Sequence, residues 1–275
     1  MRELDIRPII ELTQQAGQAI MPYFSGEKHI RSIDPETETK EDGSPVTLAD
    51  MAAHRVINAG LQTLSDLPIL SEEALAMPYE TRRHWTRFWL VDPLDGTREF
   101  LAGRPEFTIN IALIEETRPI LGVIHAPILG VTYLAQEGQG AFRKDHAGIT
   151  HIEVAQTLGP TIRVLVSRSH DTWDKIAKET NLPCTWVQAG SALKFGRLAE
   201  GQGDVYPRRG PTMEWDTAAG QCIVTEAGAR MMDWQGKPFL YNKEDLTNPG
   251  FFVGTLAALD AGFFDVFANL LKKQS

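Results

Sequence analysis

Apolar residues change their spacing along this chain, and that change restricts the fold more than any other feature of the sequence. From residue 88 to about 143, apolar positions alternate with other residues, so that one face of FTINIALIE carries Phe107, Ile109, Ile111 and Leu113. A period of two is the pattern of a strand that buries one face. The segments PILGVIHAP, GVTYLAQEG and GAFRK follow at hairpin spacing. This region therefore predicts an antiparallel sheet.

Two helices are predicted before this sheet. Apolar residues recur at helical spacing from Ile9 to Phe24 and again from Leu48 to Leu64, where Thr47 is placed to open the second helix. The segment between them, residues 27–45, is polar and interrupted by proline and glycine, which predicts a loop or a frayed pair of strands. Both helices should cover the sheet, which makes the N-terminal half α+β.

Beyond residue 158, strands and helices alternate. The strand TIRVLVS is followed by a helix from 171, a strand near 185, a helix from 191, a strand near 204, a helix from 215 and a strand near 229. That rhythm is typical of an α/β fold. Because 275 residues are many for one core, we predict an N-terminal α+β domain over 1–157 and a C-terminal α/β domain over 158–275. The active site is expected between them, where clefts tend to form.

Composition and charge exclude several classes of protein. The formal charge of −9 leaves no basic stripe to which a nucleic-acid polymer would bind. Two cysteines are too few for a disulfide framework or a four-thiolate zinc site. No apolar run approaches the ~20 residues that cross a bilayer, and the acidic residues of MRELDIRPIIELTQQ are unlike a signal peptide. We therefore expect a cytoplasmic protein.

The segment WLVDPLDGTREF places two carboxylates beside a rigid proline and a flexible glycine. Pro93 favours an extended residue before it and starts a turn after it. The turn should bring Asp92, the carbonyl of Leu94 and Asp95 to one point. Oxygen ligands of this kind suit Mg²⁺, and the amides that follow Gly96 are placed to bind a phosphate. The alternative is an ordinary solvated turn, for which PLDG is equally suitable.

Acidic residues also follow two other predicted element ends. LPILSEEA is a short apolar strand that ends in Glu72 and Glu73, and EWDTAAGQ opens a helix with Asp216. The small residues after Asp216 would let this helix pack tightly on a sheet, with its first carboxylate directed off the sheet edge. The alternatives are a surface acid pair after a Ser71 cap, and an N-cap role for Asp216.

Taken together, SEE at 71–73, DPLDGT at 92–97 and WDTAAG at 215–220 resemble the inositol monophosphatase superfamily of magnesium-dependent, lithium-sensitive phosphatases. The resemblance runs over nearly the whole chain, from about residue 8 to 254. Within the superfamily, the chain looks most similar to the bacterial 3′(2′),5′-bisphosphate nucleotidases. That similarity is carried by the segments SPVTLAD, SRSH, GSALKF, YPRRGPTMEWDTAAG and DWQGKPFLY.

The resemblance implies a layered αβαβα sandwich of the sugar and inositol phosphatase type. The chain departs from the family pattern at Arg98, where lysine is usual, at Phe239, where leucine is usual, and in a longer tail after residue 254. None of these positions is a metal ligand that the resemblance implies.

Two Mg²⁺ ions are the cofactors that the resemblance implies. Glu72, Asp92 and the Leu94 carbonyl would bind one ion, and Asp92, Asp95 and Asp216 would bind the second. Four carboxylates balance the charge of two such ions, so the loaded site would accept a phosphate dianion.

A catalytic pair is also implied by the resemblance. The Thr97 hydroxyl and Asp50 would position the attacking water, which acts directly on phosphorus without a phosphoenzyme. Asp50 has an alternative role, because TLAD is also the pattern of a capping box opened by Thr47.

The substrate that the resemblance implies is 3′-phosphoadenosine 5′-phosphate, a by-product of sulfate assimilation, hydrolysed to AMP and phosphate. A related substrate is 3′-phosphoadenylyl sulfate. The residues implied to contact it are Gly96, Thr97, His170, Ser191, Lys194, Arg208 and Asp216. The cations among them favour a bisphosphate, because an inositol phosphatase would not need them.

Other interpretations of these residues stay open at this stage. Lys194 and Arg208 could be solvated, and His170 could cap the helix from 171. The enzymatic alternative is hydrolysis of inositol phosphates or fructose 1,6-bisphosphate. The non-enzymatic alternative is a regulator that binds a metal or phosphate without turnover.

The C-terminal tail carries apolar residues at helical spacing: Leu256, Leu259, Phe263, Phe267 and Leu270. We expect a helix that packs on the core or in a homodimer. Peripheral contact with the inner membrane is the weaker alternative, because Asp260 and Asp265 would oppose anionic lipid.

Overall fold

The computed structural model describes residues 5–24, 38–39, 45–46, 48–74, 77–168 and 183–272. The helices of these residues are α1 (Arg7–Ile20), α2 (Leu48–Leu64), α3 (Tyr79–Arg82), α4 (Thr97–Leu101), α5 (Leu193–Ala199), α6 (Glu214–Glu226), α7 (Leu256–Asp260) and α8 (Phe263–Lys272), with a 3₁₀ turn at Met21–Tyr23. The strands are β1 (Glu38–Thr39), β2 (Pro45–Val46), β3 (Ile69–Ser71), β4 (Arg87–Asp95), β5 (Thr108–Glu115), β6 (Arg118–Ala126), β7 (Val131–Gln136), β8 (Ala141–Asp145), β9 (Gly148–Ile152), β10 (Ile162–Ser167), β11 (Cys184–Ala189), β12 (Val205–Arg208), β13 (Thr212–Met213), β14 (Ala229–Asp233), β15 (Thr247–Asn248) and β16 (Phe251–Thr255).

The first large sheet has seven strands in the order β3-β4-β5-β6-β7-β8-β9. Its strands from β4 onward pair antiparallel in chain order, which confirms the predicted antiparallel sheet. The short strand β3 joins the edge of the sheet parallel to β4. Because β3 and β4 run in the same direction, the residues that follow them emerge at the same edge.

The second large sheet has five strands in the order β11-β10-β12-β16-β14. β10 pairs parallel with both β11 and β12, while β16 runs antiparallel between β12 and β14. The strands predicted after residue 158 are all present, and the helices expected from 191 and 215 begin at Leu193 and Glu214. The helix predicted from 171 lies outside the described residues. Strand β16 was not predicted.

Three hydrophobic clusters connect these elements into five layers. One joins α1 and α2 to the face of the first sheet that carries Trp89 and Val91. A second lies between the sheets, where Phe88 and Leu90 pack with α5, α6 and the second sheet. The third joins the far face of the second sheet to α7 and α8. This order, helices–sheet–helices–sheet–helices, confirms the expected αβαβα sandwich.

The layering explains why the middle strands of the first sheet are apolar on both faces. In β5, Ile109 and Ile111 face α1 and α2, while Ala112 on the opposite face packs in the cluster between the sheets. That cluster contains residues from both sides of position 158. The division of the chain into domains over 1–157 and 158–275 stays a prediction.

The tail folds as two short helices instead of one. The Thr255 hydroxyl accepts a hydrogen bond from the Ala258 N–H (3.1 Å) and begins α7, and Gly262, at φ 79°, separates α7 from α8. The break changes the helical phase, so Leu256 is 47% exposed although the spacing placed it with the core. Phe267 and Leu270 are buried against the second sheet. The tail therefore packs on the core, as expected for those two residues.

No helix in the described ranges has both the length and the apolar composition that crossing a membrane requires.

Helix α6 approaches the first sheet closely because both partners are small at the contact. A methyl group added at Gly122 of β6 would lie 2.4 Å from the Ala219 carbonyl oxygen, which belongs to the α6 backbone. On another side of α6, Gly220 admits the ring of Phe195, which an added methyl group would meet at 2.3 Å. The small residues that follow Asp216 therefore let this helix lie between the two sheets.

We predict that Gly122→Ala lowers the free energy of unfolding by about 2 kcal/mol, because the backbone of α6 must move to admit the methyl group. Urea denaturation followed by circular dichroism would measure the change. Gly159→Ala is the matched control, since its methyl group would lie 3.8 Å from its nearest neighbour, the Thr161 carbonyl. Equal stabilities of the two variants would contradict the packing described for α6.

Candidate active site

The carboxyl ends of parallel strands from both sheets meet at one cleft of about 290 Å³. The first sheet contributes the residues after β3 and the end of β4. The second sheet contributes the residues after β10 and β11 and the end of β12. Crevices at such strand ends are common ligand sites in α/β proteins. The sequence-predicted residues that line the cleft are Glu72, Asp92, Leu94, Asp95, Gly96, Thr97, Ser191, Lys194, Arg208 and Asp216.

The DPLDGT segment forms a strand bulge and not the simple turn that the sequence predicted. β4 pairs with β5 through Asp92 opposite Asn110 and through Asp95 opposite Thr108, so two residues, Pro93 and Leu94, stand against one residue of β5. Proline cannot donate a hydrogen bond to the ladder, which suits it to a bulge. The Leu94 N–H donates to Asp92 Oδ1 at 3.1 Å.

Gly96 ends the bulge in the left-handed region, at φ 90° and ψ 40°, and α4 begins directly after it. A methyl group at this position would also lie 3.2 Å from the Cβ of Ser191, which follows β11 of the second sheet. Both the backbone conformation and this contact therefore favour glycine.

Burial and like charges together dominate the electrostatics of the carboxylates. Burial raises the pKa of Asp92 well above its usual value, and so do the charges of Glu72, Asp95, Asp216 and Asp50. Burial raises the pKa of Asp95 to about 6, although Lys194, the Ala192 N–H and the Asn110 amide lower it. Carboxylates from separate parts of the chain therefore lie close enough for their charges to raise the pKa of Asp92.

Asp216 lies in the first turn of α6, at the third helical position and not at the N-cap itself. Its Oδ2 accepts a hydrogen bond from the Met213 N–H at 2.8 Å, so the side chain does cap the helix while it lines the cleft. Burial raises the pKa of Asp216 well above its usual value, as do Asp95 and Glu72, whereas the Met213 N–H and Arg208 lower it. The capping role and a ligand role are therefore compatible.

The start of α6 is fixed by a buried ion pair. The carboxylate of Glu214, the first residue of the helix, is fully buried and accepts from the Lys243 ammonium at 2.6 Å. It also accepts from the backbone N–H groups of Lys243 (3.0 Å) and Asn242 (2.7 Å). These bonds connect the loop after Tyr241 to the helix that carries Asp216, two residues further along.

Asp50 and Thr97 both lie near the bulge. Asp50 is buried in the first turn of α2, close enough for its charge to raise the pKa of Asp92. The Thr97 hydroxyl donates to the Leu94 carbonyl at 3.3 Å. Thr47, the partner in the proposed capping box, lies outside the described residues. The catalytic pairing of Asp50 with Thr97 stays a prediction.

The residues expected to bind substrate occupy different environments. Lys194 is buried, not solvated: its ammonium donates to the carbonyls of Ala189 (3.2 Å) and Ser191 (2.6 Å). Arg208 donates to the Ser167 hydroxyl at 3.0 Å, and its buried Nε makes no hydrogen bond with the described residues. His170 lies outside them, so its predicted contact stays untested.

The sequence analysis did not single out several residues that the cleft contains, among them Arg168, Tyr206 and Thr212. Arg168 follows directly after β10, so its position at a strand end was the available signal. Tyr206 belongs to a buried strand and resembles an ordinary core residue. The Thr212 hydroxyl is buried without a hydrogen bond to any described residue, and nothing in the sequence around it predicts that.

The donor set of the cleft suits hard divalent cations. Carboxylates and a backbone carbonyl supply only oxygen, the ligand that Mg²⁺ prefers. Burial, together with neighbouring carboxylates, raises the pKa values of Asp92, Asp95 and Asp216, and a bound cation would favour their charged forms. In the ranges the structure describes, no three His, Cys, Asp or Glu side chains are already gathered closely enough to enclose an ion. The residues fit divalent cations in kind, and the metal site itself stays a prediction.

Comparisons with known proteins agree with this geometry. Residues 3–261 match the model of the inositol monophosphatase family. The chain is 46% identical over 252 residues to the 3′(2′),5′-bisphosphate nucleotidase CysQ of Salmonella typhimurium, covering 90% of this chain and 98% of that protein. It is also 46% identical over 248 residues to the CysQ nucleotidase of Escherichia coli K12, covering 89% and 97%.

Two solved structures show the same fold. CysQ from Bacteroides thetaiotaomicron, described as a bacterial member of the inositol monophosphatase family, superposes with a TM-score of 0.75 at 36% identity and covers 90% of this chain and 96% of its own. The Thermotoga maritima IMPase superposes with a TM-score of 0.80 at 26% identity and covers 98% of both chains.

The raised pKa of Asp95 predicts how the metal-free protein responds to pH. Because the folded pKa is about 6 and the unfolded value is 3.8, protonation of this group stabilises the fold fully below 3.8, and the stabilisation is lost as the pH rises through about 6. Asp95→Asn carries no charge. We therefore expect it to exceed the wild type in stability by about 3 kcal/mol at pH 8 and by about half as much at pH 5.

Urea denaturation in a metal chelator between pH 5 and pH 8 would test this expectation. Asp66→Asn, at an exposed position, is the control for loss of a carboxylate outside the cleft. A stability difference for Asp95→Asn that stays constant over this pH range would contradict the described electrostatics.

Proposed function

The chain belongs to the inositol monophosphatase family, a family of metal-dependent phosphatases, and from that premise we propose that it is a 3′(2′),5′-bisphosphate nucleotidase. It hydrolyses 3′-phosphoadenosine 5′-phosphate to AMP and phosphate, and 3′-phosphoadenylyl sulfate to adenylyl sulfate. The observation that carries the proposal is one cleft lined both by carboxylates, of which Asp92 is buried and Glu72, Asp95 and Asp216 are partly exposed, and by cationic side chains. The identity to the CysQ nucleotidases along most of the chain supports the same substrate class.

Two Mg²⁺ ions fit the carboxylates of the cleft. Glu72, Asp92 and the Leu94 carbonyl would hold one, and Asp92, Asp95 and Asp216 would hold the other. When bound, such ions supply Lewis-acid activation of water and stabilise charge on the leaving oxygen. Without them, each carboxylate about 4 Å from a phosphate charge would repel it by roughly 4 kcal/mol at an effective dielectric constant of 20.

The chain's own groups orient the reactants. The backbone N–H groups of Gly96 and Thr97 bind the phosphate to be cleaved, next to the bulge that presents Asp92 and Asp95. The Thr97 hydroxyl accepts a proton from the attacking water and passes its own proton to Asp50. Asp50 is buried in the first turn of α2, close enough to the bulge for its charge to act on Asp92.

The cationic residues account for the preference for a nucleotide with two phosphates. The buried Nε of Arg208 has no hydrogen-bond acceptor among the described residues, and a bound anion would supply one. Lys194 acts on the substrate indirectly. Its ammonium fixes the Gly190–Ser191 backbone through hydrogen bonds to the Ala189 and Ser191 carbonyls, and its charge lowers the pKa of Asp95. Ser191 lines the cleft in a left-handed backbone conformation, at φ 43°. His170 belongs to the proposed contacts as well.

Further parts of the proposal come from the sequence alone. They are a cytoplasmic location, a role in sulfate assimilation and sensitivity to lithium. Homodimer formation and peripheral contact with a membrane stay predictions of the sequence analysis.

Steady-state kinetics on three substrates test the proposed activity. We expect kcat/KM for 3′-phosphoadenosine 5′-phosphate to exceed the values for inositol 1-phosphate and fructose 1,6-bisphosphate by an order of magnitude or more. Inositol 1-phosphate has no second phosphate for the cationic residues, and neither sugar phosphate carries the nucleoside that a nucleotidase binds. Phosphate release in the presence of Mg²⁺ would be measured for each. A preference for either sugar phosphate would overturn the assignment of substrate, and no turnover of any of them would favour the non-catalytic alternative.

Asp95→Asn tests the metal role separately from the fold. Loss of one carboxylate should reduce Mg²⁺-dependent turnover by at least about a thousandfold, because the ions contribute several kcal/mol to the transition state. The variant should stay folded, with near-ultraviolet circular dichroism like that of the wild type. Asp66→Asn is again the control and should keep full activity. Retention of most activity by Asp95→Asn would show that Asp95 does not bind an essential ion.

A further inference from the structure

Glu106 connects the two halves of the chain at the edge of the cleft. Its carboxylate is 9% exposed and accepts from Arg168 twice, from Nε to Oε2 at 2.9 Å and from Nη2 to Oε1 at 3.1 Å. Arg197 of α5 donates to the same Oε1 at 3.3 Å. The Glu106 carbonyl accepts from the Ser191 hydroxyl at 3.1 Å. One residue of the loop before β5 therefore fixes side chains from three parts of the second half.

The hydrogen bonds to Glu106 use one edge of the Arg168 guanidinium and leave another available. Nε and Nη2 form the side-on edge, which Glu106 occupies. The end-on edge, formed by Nη1 and the second proton of Nη2, donates to no described residue, and the side chain is 38% exposed where it lines the cleft. Because Glu106 already fixes the side chain, Arg168 would lose little conformational entropy when a ligand binds to its end-on edge. The two N–H groups of that edge match the spacing of two phosphate oxygens.

Arg168 and Arg208 lie at the same edge of the second sheet. Arg168 follows β10 and Arg208 ends β12, and these strands pair in parallel, so their carboxyl ends lie side by side. The Ser167 hydroxyl, next to Arg168 in the chain, accepts from Arg208 Nη1. Two guanidinium groups therefore line one part of the cleft, at the end of strands that contribute none of the carboxylates described above.

The charges around Arg168 cancel once Glu99 is counted, so an anion bound there would be held by directed hydrogen bonds and not by a net positive charge. Glu106 with its two arginines leaves one positive charge, and Glu99, which also lines the cleft, lies near enough for its negative charge to act on Arg168. Lys194, by contrast, is buried and donates to two backbone carbonyls. The exposed edge of Arg168 is therefore better placed than the Lys194 ammonium to contact a ligand directly.

We propose that Arg168, oriented by Glu106, binds the substrate phosphate that is not cleaved, and so selects nucleotides with a second phosphate over those with one. This inference rests on the proposed nucleotidase function and adds to it a specificity residue that neither the motifs nor the comparisons assign. Glu106 is a positioning residue in this arrangement and does not contact the substrate.

Steady-state kinetics with two nucleotides that differ only in that phosphate test the proposal. For 3′-phosphoadenosine 5′-phosphate, we expect Arg168→Gln to lower kcat/KM roughly 10- to 100-fold, mainly through KM, because a charge-assisted bidentate contact is lost. For 3′-AMP, which lacks the 5′-phosphate, the same variant should stay within about twofold of the wild type. Arg168→Lys keeps the charge but not the two parallel N–H donors, so its kcat/KM for the bisphosphate should lie between those of the wild type and Arg168→Gln.

Kinetics on the two nucleotides distinguish failure of the Arg168 proposal from failure of the proposed function. Turnover of 3′-AMP by Arg168→Gln reports that the variant is folded, and Arg118→Gln, an exposed arginine paired with Glu137, is the matched control. Equal losses on both nucleotides, or no loss on the bisphosphate, would overturn the role of Arg168 while leaving the proposed function in place. A wild type that hydrolyses neither nucleotide would contradict the proposed function itself, and the inference with it.

Discussion

Buried carboxylates that repel one another are the constraint on which this structure depends. At Asp92, Asp95 and Asp216, removal from water disfavours the charged form, and the charges of neighbouring carboxylates raise each pKa further. A fold gains nothing from such an arrangement by itself, because apolar residues would fill the same volume at lower cost. The arrangement becomes favourable when cations of high charge density occupy the cleft, and this requirement connects the architecture to the proposed chemistry.

The five layers fix the positions of these carboxylates. The parallel pair β3–β4 brings the residues after each strand to one edge of the first sheet, and the bulge at Pro93 places Asp92 and Asp95 there together. Helix α6 lies between the sheets because Gly122 of β6 lets the α6 backbone approach closely, and Gly220 of α6 leaves room for the ring of Phe195. Its first turn therefore reaches the same cleft, and the parallel strands of the second sheet supply the cationic residues. Separate layers thus contribute separate parts of one site.

Periodicity and strand ends carried most of what the sequence could predict. The antiparallel sheet and the alternating second half depend on local patterns. The motifs identified the family, and the convergence of Glu72, Asp92, Asp95 and Asp216 was predicted from that resemblance. Side-chain environment was harder to predict. The burial of Lys194 depends on backbone carbonyls that fold back over it, and the phase change in the tail depends on the Thr255 cap and the positive φ of Gly262. The contact of Glu106 with Arg168 joins residues 62 positions apart, which no local pattern specifies.

Anomalous diffraction from crystals of the full chain grown with Mn²⁺ at pH 8 tests the central claim most directly, since this ion takes the same oxygen ligands as Mg²⁺ and its position can be observed. The account predicts two anomalous peaks in the cleft, both within coordination distance of Asp92, with Glu72 and the Leu94 carbonyl at one and Asp95 and Asp216 at the other. A cleft without peaks at a Mn²⁺ concentration that supports turnover, or peaks only at other surfaces, would contradict it.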